Sequence, residues 1–161
     1  MRSVRVNRWV SVVAALVMFV GITSAGLSQV AARHLYPEVS AAKGDVAKAL
    51  IAAKKTHKRV LLDFGGDWCP DCQVLDIYFH QQPNAKLLAD NFVKVNVNIG
   101  QMDQNIELAA KYGVPIAKGV PALAVVDASG KVVYSQETGQ FNSMRRMQST
   151  SVTEFLTKWK P

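Results

Sequence analysis

From residue 45 onward, the hydrophobic positions of the chain switch between helical and extended spacing. Residues 45–56 (DVAKALIAAKKT) place Val46, Leu50 and Ala53 on one face of a helix. Residues 92–99 (FVKVNVNI) alternate apolar and polar positions, which is typical of a strand. The full pattern predicts helices over 45–56, 69–79, 84–91, 103–113 and 151–159, and strands over 59–64, 92–99, 121–127 and 131–135.

The order of these elements predicts an α/β fold. The first two strands alternate with helices, which favours parallel pairing. The last two strands are separated only by a short turn at 128–130 and should form an antiparallel hairpin. The last helix opens on Ser151, and Glu154 three residues later fits a capping box. We therefore expect a central mixed β-sheet flanked by helices on both faces.

The first 32 residues have the order of a secretory signal. Three arginines lie among the first eight residues, an apolar run follows over 9–22, and small residues come next. A cleaved signal peptide and an uncleaved signal anchor both fit, the anchor as a membrane tether through residues 9–27. In both cases the positive-inside rule predicts export. We expect a periplasmic protein, soluble after cleavage or tethered to the inner membrane, with a lead-in over 33–44.

The basic charge of the chain does not indicate nucleic-acid binding. The net charge is +7, and three of the positive charges belong to the N-terminal segment. The densest basic cluster, 54–59, lies at the end of a predicted helix, where cations complement the helix dipole and face solvent. We therefore expect no nucleic-acid partner.

Cys69 and Cys72 are the only cysteines, and they fit a redox pair, half of a metal site or a structural staple. A disulfide between residues so close in sequence closes almost no loop and restrains the unfolded chain little. Structural zinc needs four ligands, and the three histidines do not supply a second pair at metal-binding spacing. Because disulfides persist in an oxidising compartment, a lone CxxC in an exported protein favours disulfide processing without a metal.

The position of the pair predicts a mechanism. Cys69 lies where a buried strand leads into the N-terminus of a helix, and free N–H groups there favour a thiolate. Pro70 fits the first turn of that helix. The Cys69 thiolate would attack a client disulfide, and Cys72, one turn further on, would resolve the mixed disulfide. Trp68 would shield one side of the site.

Two segments carry a resemblance to a known family. Residues 60–72 (VLLDFGGDWCPDC) resemble the VDFWAxWCxxC segment of thioredoxins, and 118–133 (KGVPALAVVDASGKVV) resemble their xGxPTxxxFxxGxxV segment. The chain is identified as an exported bacterial member of the thioredoxin superfamily with a WCPDC active site. The resemblance implies a thioredoxin fold over 45–161 and thiol–disulfide oxidoreductase activity on client proteins. It implies no cofactor beyond the redox-active disulfide.

The resemblance also implies roles for residues outside the cysteine pair. Val120 and Pro121 match the cis-proline loop, which faces the CxxC motif and, with Trp68, would bind the client. Asp63 matches the buried aspartate of the family, and Lys94 matches the lysine paired with it. Burial should raise the pKa of Asp63 and let it take the proton from Cys72 during resolution.

The sequence departs from thioredoxin between the cysteines, where Pro70 and Asp71 are expected to tune the redox potential. Asp71 and the nearby Asp67 add negative charge that opposes a thiolate at Cys69. Because a stabilised thiolate makes a pair more oxidising, this charge favours a reductant, fed by a membrane electron donor. The expanded segment 140–150 borders the expected client groove, and its arginines are expected to be solvated.

Two other functions fit parts of the sequence. Exposed thiolates bind Cu(I), so the chain fits a copper-handling protein. However, His80 lies close downstream of the cysteines, whereas copper-handling relatives use a distant histidine. The chain also fits a client-binding protein without turnover, but the cysteine pair and the Asp63–Lys94 pair favour the exchanger.

Overall fold

The computed structural model describes residues 33–161, so the predicted signal or anchor lies outside the described residues. Within residues 33–161, no helix combines the length and the apolar character needed to cross a membrane. The main elements are α1 (Ala42–Thr56), β1 (Arg59–Gly65), α2 (Pro70–His80), α3 (Asn84–Asn91), β2 (Phe92–Asn98), α4 (Ile106–Lys111), β3 (Ala122–Val126), β4 (Val132–Ser135) and α5 (Ser149–Trp159).

The four strands form one mixed sheet in the order β2-β1-β3-β4. β1 and β2 are parallel, with Leu61 opposite Lys94 and Asp63 opposite Asn96. β3 runs antiparallel to both β1 and β4. The predicted parallel pair and hairpin are therefore confirmed. The order places β1 inside the sheet, so the chain leaves for α2 from a strand supported on both edges.

The sheet separates two apolar layers. On one face, Val60, Leu62 and Phe64 of β1 pack with apolar residues of α1 and α4. On the other face, Leu61 packs with residues of α2, α3 and α5. Because both faces of β1 are covered, every residue after Arg59 in this strand is buried. The alternation of a strand directs Asp63 to the same face as Leu61, so a carboxyl group lies inside the fold.

Four of the five helices differ from their predicted bounds: α1 begins three residues earlier, α2 is shifted by one residue, and α4 and α5 begin at other residues. α4 begins only at Ile106, because Gly100, Met102 and Asn105 have positive φ angles and the chain before the helix turns repeatedly. α5 begins at Ser149, two residues before the predicted start. The N–H of Ser151 already bonds to the Gln148 carbonyl in the first turn, and no side chain caps this helix. The predicted capping box is therefore wrong.

Asn84 holds three helices together. Its side chain is fully buried, and its amide donates to the carbonyls of Tyr78 (3.0 Å) and Ser149 (3.1 Å). Its oxygen accepts from the Thr153 hydroxyl. These bonds join α3 to the end of α2 and to α5. They hold α2, which carries Cys72, in place against the rest of the fold.

We expect Asn84→Ala to lower the free energy of unfolding by about 1–3 kcal/mol, because it leaves buried polar groups without a partner. Asn91→Ala is the matched control. Asn91 is half-buried at the end of α3 and donates only to the Leu87 carbonyl of its own helix. Its removal should change stability by about 0.5 kcal/mol or less. Urea unfolding measures both values, and equal losses would show that Asn84 does not couple the helices.

Candidate active site

The two cysteines form a disulfide at the start of α2. Cys69 is the N-cap residue of the helix, in an extended conformation, and Pro70 occupies the first turn as predicted. The Cys72 N–H donates to Cys69 Sγ at 3.1 Å. In this oxidised state Cys69 is 3% exposed and Cys72 is fully buried. The N-terminus of α2 is therefore aimed at the sulfur of Cys69, where its N–H groups and dipole favour negative charge.

The loop before β3 lies against Cys69. The carbonyl oxygen of Val120 is 3.6 Å from Cys69 Sγ, and the Val120–Pro121 peptide bond is cis. Gly119 has a φ of 107°, and a Cβ at this position would collide with Asn142. Asn142 in turn donates to the Lys118 carbonyl at 2.8 Å. The expanded segment before α5 thus supports the loop that faces the cysteines.

Trp68 stands beside Cys69 and is fixed in place. Its side chain is 43% exposed, and the indole N–H donates to the Gly100 carbonyl at 2.6 Å. A Cβ on Gly66 would collide with the indole, so the absence of a side chain there lets the ring fold back. The ring is therefore anchored at its N–H edge, while nearly half of the side chain is open to solvent.

Asp63 is 1% exposed and has two polar partners. The Tyr36 hydroxyl donates to its Oδ1 at 3.1 Å, and Lys94 Nζ lies 3.7 Å from its Oδ2. Burial raises the pKa of Asp63, with a further contribution from Asp76, and the charge of Lys94 and the Tyr36 hydroxyl only partly oppose this. The structure thus places Asp63 and Lys94 together, as the resemblance implied.

Lys94 is shared between two carboxylates. Its Nζ is 3.4 Å from Asp76 Oδ1 and lies 5.0 Å from the centre of the Phe79 ring. Asp76 is buried in α2, one turn after Cys72, and Arg33 Nη1 lies 3.1 Å from its Oδ2. The sequence analysis did not identify Asp76. Its position four residues after Cys72, on the same face of the helix, is the signal that indicates it.

The carboxylate of Asp71 is not a free charge. Asp71 is 8% exposed, and its Oδ1 accepts a hydrogen bond from the backbone N–H of Arg145 at 2.8 Å. The Arg145 guanidinium also lies 3.2 Å from its Oδ2. Arg145 is exposed, as expected, and the turn before α5 also brings its guanidinium to Asp71. This cation offsets part of the negative charge that was expected to oppose the Cys69 thiolate.

Asp67 is also engaged. Its Oδ1 accepts from the N–H groups of Leu35 (2.7 Å) and Tyr36 (3.0 Å), and its Oδ2 contacts the His34 ring. Partial burial would raise the pKa of Asp67, but these hydrogen bonds outweigh it and lower the pKa. Asp67 therefore stays ionised and holds the lead-in segment against the active site.

The lead-in is part of the site, which the sequence analysis missed. The Gln73 amide donates to the Arg33 carbonyl at 2.8 Å, and the Arg33 N–H donates back to Gln73 Oε1. Tyr36 is 1% exposed and its ring reaches the buried Asp63. A tyrosine separated by 27 residues from its carboxylate partner has no sequence signal of its own. Among residues 33–161, no cluster of three or more potential ligands could hold a metal ion.

Comparisons with known proteins agree with this geometry. A family model described as "Thioredoxin-like" matches residues 41–128, more than half of the chain. The crystal structure of a disulphide isomerase from Xylella fastidiosa Temecula1 is 40% identical, with a TM-score of 0.74. The match covers 78% of this chain and 96% of that one. The C-terminal domain of DsbD from Neisseria meningitidis, at 20% identity and a TM-score of 0.52, shares the fold, covering 77% of this chain and 98% of that one.

A curated relative shares only part of its length with this chain. The thiol:disulfide interchange protein DsbD of Photorhabdus laumondii is 26% identical over 97 residues. The match covers 60% of this chain and 16% of that protein. The thioredoxin fold implied by the sequence is confirmed, and the cysteine pair at the start of α2 lies in its expected place. The chain belongs to the thioredoxin-like family.

Proposed function

We propose that this protein is an exported reductant of client disulfides. The observation that carries the proposal is the position of Cys69 Sγ, between the N-terminus of α2 and the Val120 carbonyl. In the reduced protein, the Cys69 thiolate attacks the client disulfide and one client sulfur leaves as a thiolate. Cys72 then loses its proton, attacks Cys69 Sγ and releases the second client sulfur. Two electrons pass to the client, and the Cys69–Cys72 disulfide forms.

The client chain binds across the loop that faces Cys69. The Val120 carbonyl and the following Pro121 border the sulfur, and a client backbone lying here in extended form brings its disulfide to Cys69. The exposed face of Trp68 covers the other side. Similarity to a disulphide isomerase over most of the chain supports protein clients rather than small thiols.

Asp63 acts as the proton acceptor for Cys72. Its burial raises its pKa and so favours the protonated form that it takes up, and Lys94 stabilises the ionised form that must be present first. Lys94 keeps Asp76 as a second partner, so it is not left unpaired when Asp63 takes up a proton.

The reducing direction is supported by the residues between the cysteines. Neither Pro70 nor Asp71 is a cation, and the nearby Arg145 is itself paired with the Asp71 carboxylate, so little net positive charge is left to stabilise the Cys69 thiolate and make the pair oxidising. An exported reductant must be reduced again after each turnover, which requires a membrane electron donor on the periplasmic side. The N-terminal residues 1–32 support this location through their signal-like order, either as a cleaved signal or as a tether.

The first test is trapping. We expect Cys72→Ser to accumulate mixed disulfides with a disulfide-containing model peptide, because Cys69 attacks but nothing resolves the product. Cys69→Ser is the matched control and should accumulate at least tenfold less adduct, since Cys72 is fully buried. Non-reducing gels and mass spectrometry measure the adducts. More adduct in the Cys69→Ser variant would reverse the assignment of the nucleophile.

A second prediction concerns Asp63. Because its pKa is raised in the folded protein, the free energy of unfolding should fall as pH rises through that pKa. Asp63→Asn should lack this fall, since the amide does not ionise but still accepts from Tyr36. The same variant should slow resolution of the mixed disulfide on the order of 10²-fold. Urea unfolding across pH 4 to 9 and stopped-flow kinetics measure the two effects.

The Asp63 assignment has a clear counter-result. If Asp63→Asn changes the pH dependence of stability but leaves the resolution rate unchanged at every pH, the carboxyl group is a structural feature only. If neither changes, its pKa is not raised.

A third prediction concerns the redox potential. We expect the Cys69–Cys72 pair to lie nearer to the thioredoxin value, about −270 mV, than to the strong oxidants at about −120 mV. Asp71→Asn removes a charge but keeps an acceptor for the Arg145 N–H, so it should raise the potential by about 30 mV. Arg145→Gln removes the compensating cation and should lower it. Equilibration with glutathione measures the redox potentials of the wild type and the two variants. A wild-type value near about −120 mV would contradict the reducing direction.

A further inference from the structure

The lead-in segment brings a buried hydroxyl to the cysteine that resolves the mixed disulfide. Tyr36 lies outside the region of thioredoxin resemblance, yet its side chain is 1% exposed and ends among the active-site residues. Its hydroxyl donates to Asp63 Oδ1 at 3.1 Å. The backbone N–H of Tyr36 is fixed by Asp67 at 3.0 Å, so the ring enters the fold from a held position.

Gly65 shows how close the hydroxyl lies to Cys72. A Cβ added at Gly65 would lie 2.7 Å from Cys72 Sγ, and the Tyr36 hydroxyl would be closer still. Both atoms therefore border the same small space, which exists only because residue 65 has no side chain. The hydroxyl contacts Asp63 and this shared space at the same time.

We propose that the Tyr36 hydroxyl is the relay that connects Cys72 to Asp63 during resolution of the mixed disulfide. This inference rests on the proposed function and adds a proton-transferring residue to it. Tyr36 gives its proton to the Asp63 carboxylate while it takes the proton of the Cys72 thiol. The tyrosine ends as it began, Asp63 becomes the acid, and Cys72 becomes the thiolate. The thiolate bonds to Cys69 Sγ, and the bond from Cys69 to the client sulfur breaks.

The high pKa of Tyr36 favours simultaneous transfer of two protons over a stepwise transfer through a tyrosinate. Burial raises the pKa of Tyr36 well above its ordinary value, and the neighbouring Asp63 raises it further. A tyrosinate is therefore too costly to persist, and the hydroxyl must give and take a proton together. The proton then leaves Asp63 on the side of Lys94, which lines an open cavity of about 450 Å³.

Charged residues from every element packed against Tyr36 and Asp63 surround these two side chains. Lys94 belongs to β2, Asp76 to α2, Asp67 to the turn before α2, and Arg33 to the lead-in. On the α1 side, Asp45 and Lys48 pair with each other at 3.1 Å. The pH dependence of the resolution rate is therefore set by ionisation of Asp63 in the field of these neighbours. The variants Tyr36→Phe and Gly65→Ala, used below, leave all of these charged residues in place.

The test is the pH profile of the resolution step. Reduced protein is mixed with a disulfide-containing model peptide in a stopped-flow instrument, and the phase that does not depend on peptide concentration is followed. The rate should rise with pH as Asp63 ionises and then reach a plateau. In Tyr36→Phe the plateau should fall at least about tenfold, because the thiol has lost its path to the carboxylate.

A purely structural role gives a different result. The Tyr36 hydroxyl lowers the pKa of Asp63 by donating to it, so its loss would move the midpoint of the profile to higher pH. If the midpoint moves and the plateau is unchanged, the relay is wrong. In mixtures of H2O and D2O, a relay that moves two protons should give a curved dependence in the wild type. A straight dependence would also overturn it.

Three further variants provide a second test of the relay and two controls for a folding defect. Gly65→Ala keeps the hydroxyl but fills the space it shares with Cys72 Sγ, so it should lower the plateau as Tyr36→Phe does. Gly44→Ala is its control, since a Cβ there meets nothing within 4 Å. Tyr112→Phe is the control for the tyrosine, because Tyr112 is equally buried and lies beside α1 and α4. Both controls should keep the wild-type plateau.

The trapping experiment separates this inference from the proposed function. If Cys72→Ser traps the peptide and Tyr36→Phe keeps the plateau, only the relay fails. If Cys72→Ser traps nothing, the exchange reaction itself fails.

Discussion

The burial of one carboxyl group in the central strand is the constraint on which the site depends. β1 is covered by helices on both faces, and Asp63 is 1% exposed in it. A buried carboxylate without partners is very costly, so the fold must supply a cation or a hydrogen-bond donor. It supplies Lys94 from the neighbouring strand and Tyr36 from the lead-in. Parallel pairing of β1 with β2 is what places Lys94 there, since Leu61 pairs with Lys94 two residues before Asp63.

The lead-in that satisfies Asp63 is itself held by residues around the cysteines. Four consecutive residues, 33–36, are bound by Asp67 and Gln73, which flank the two cysteines in sequence. The short stretch from Gly65 to Gln73 therefore carries the reactive sulfurs and also holds the segment that delivers Tyr36. Because the same residues do both, a change in the motif that releases the lead-in would also expose Asp63 to water.

Local signals in the sequence were enough to predict much of this architecture. The predicted bounds of α3 agree with the structure, and β1 and β2 each differ by one residue, because their boundaries are set by local periodicity and by Gly65. Cys69 at the start of α2 follows from Pro70 and the preceding strand. The contacts that the sequence did not reveal are distant ones: Asp71 meets Arg145 across 74 residues, and Tyr36 meets Asp63 across 27. The capping box failed for a related reason, because packing of α5 rather than its caps decides where it begins.

The surroundings of Cys69 show why counting the charged residues of the motif does not predict how stable its thiolate is. Asp67 and Asp71 flank the first cysteine, and in the sequence they are two uncompensated negative charges. In the fold, Asp71 faces a guanidinium and Asp67 receives two backbone N–H groups. A compensated carboxylate acts on a nearby thiolate only through the small difference between its own field and that of its partner. The preference between thiol and thiolate at Cys69 therefore depends on how firmly Arg145 is held. Arg145 lies in the expanded segment whose Asn142 also holds the loop facing Cys69, so the ion pair of Asp71 and the position of that loop depend on the same stretch of chain.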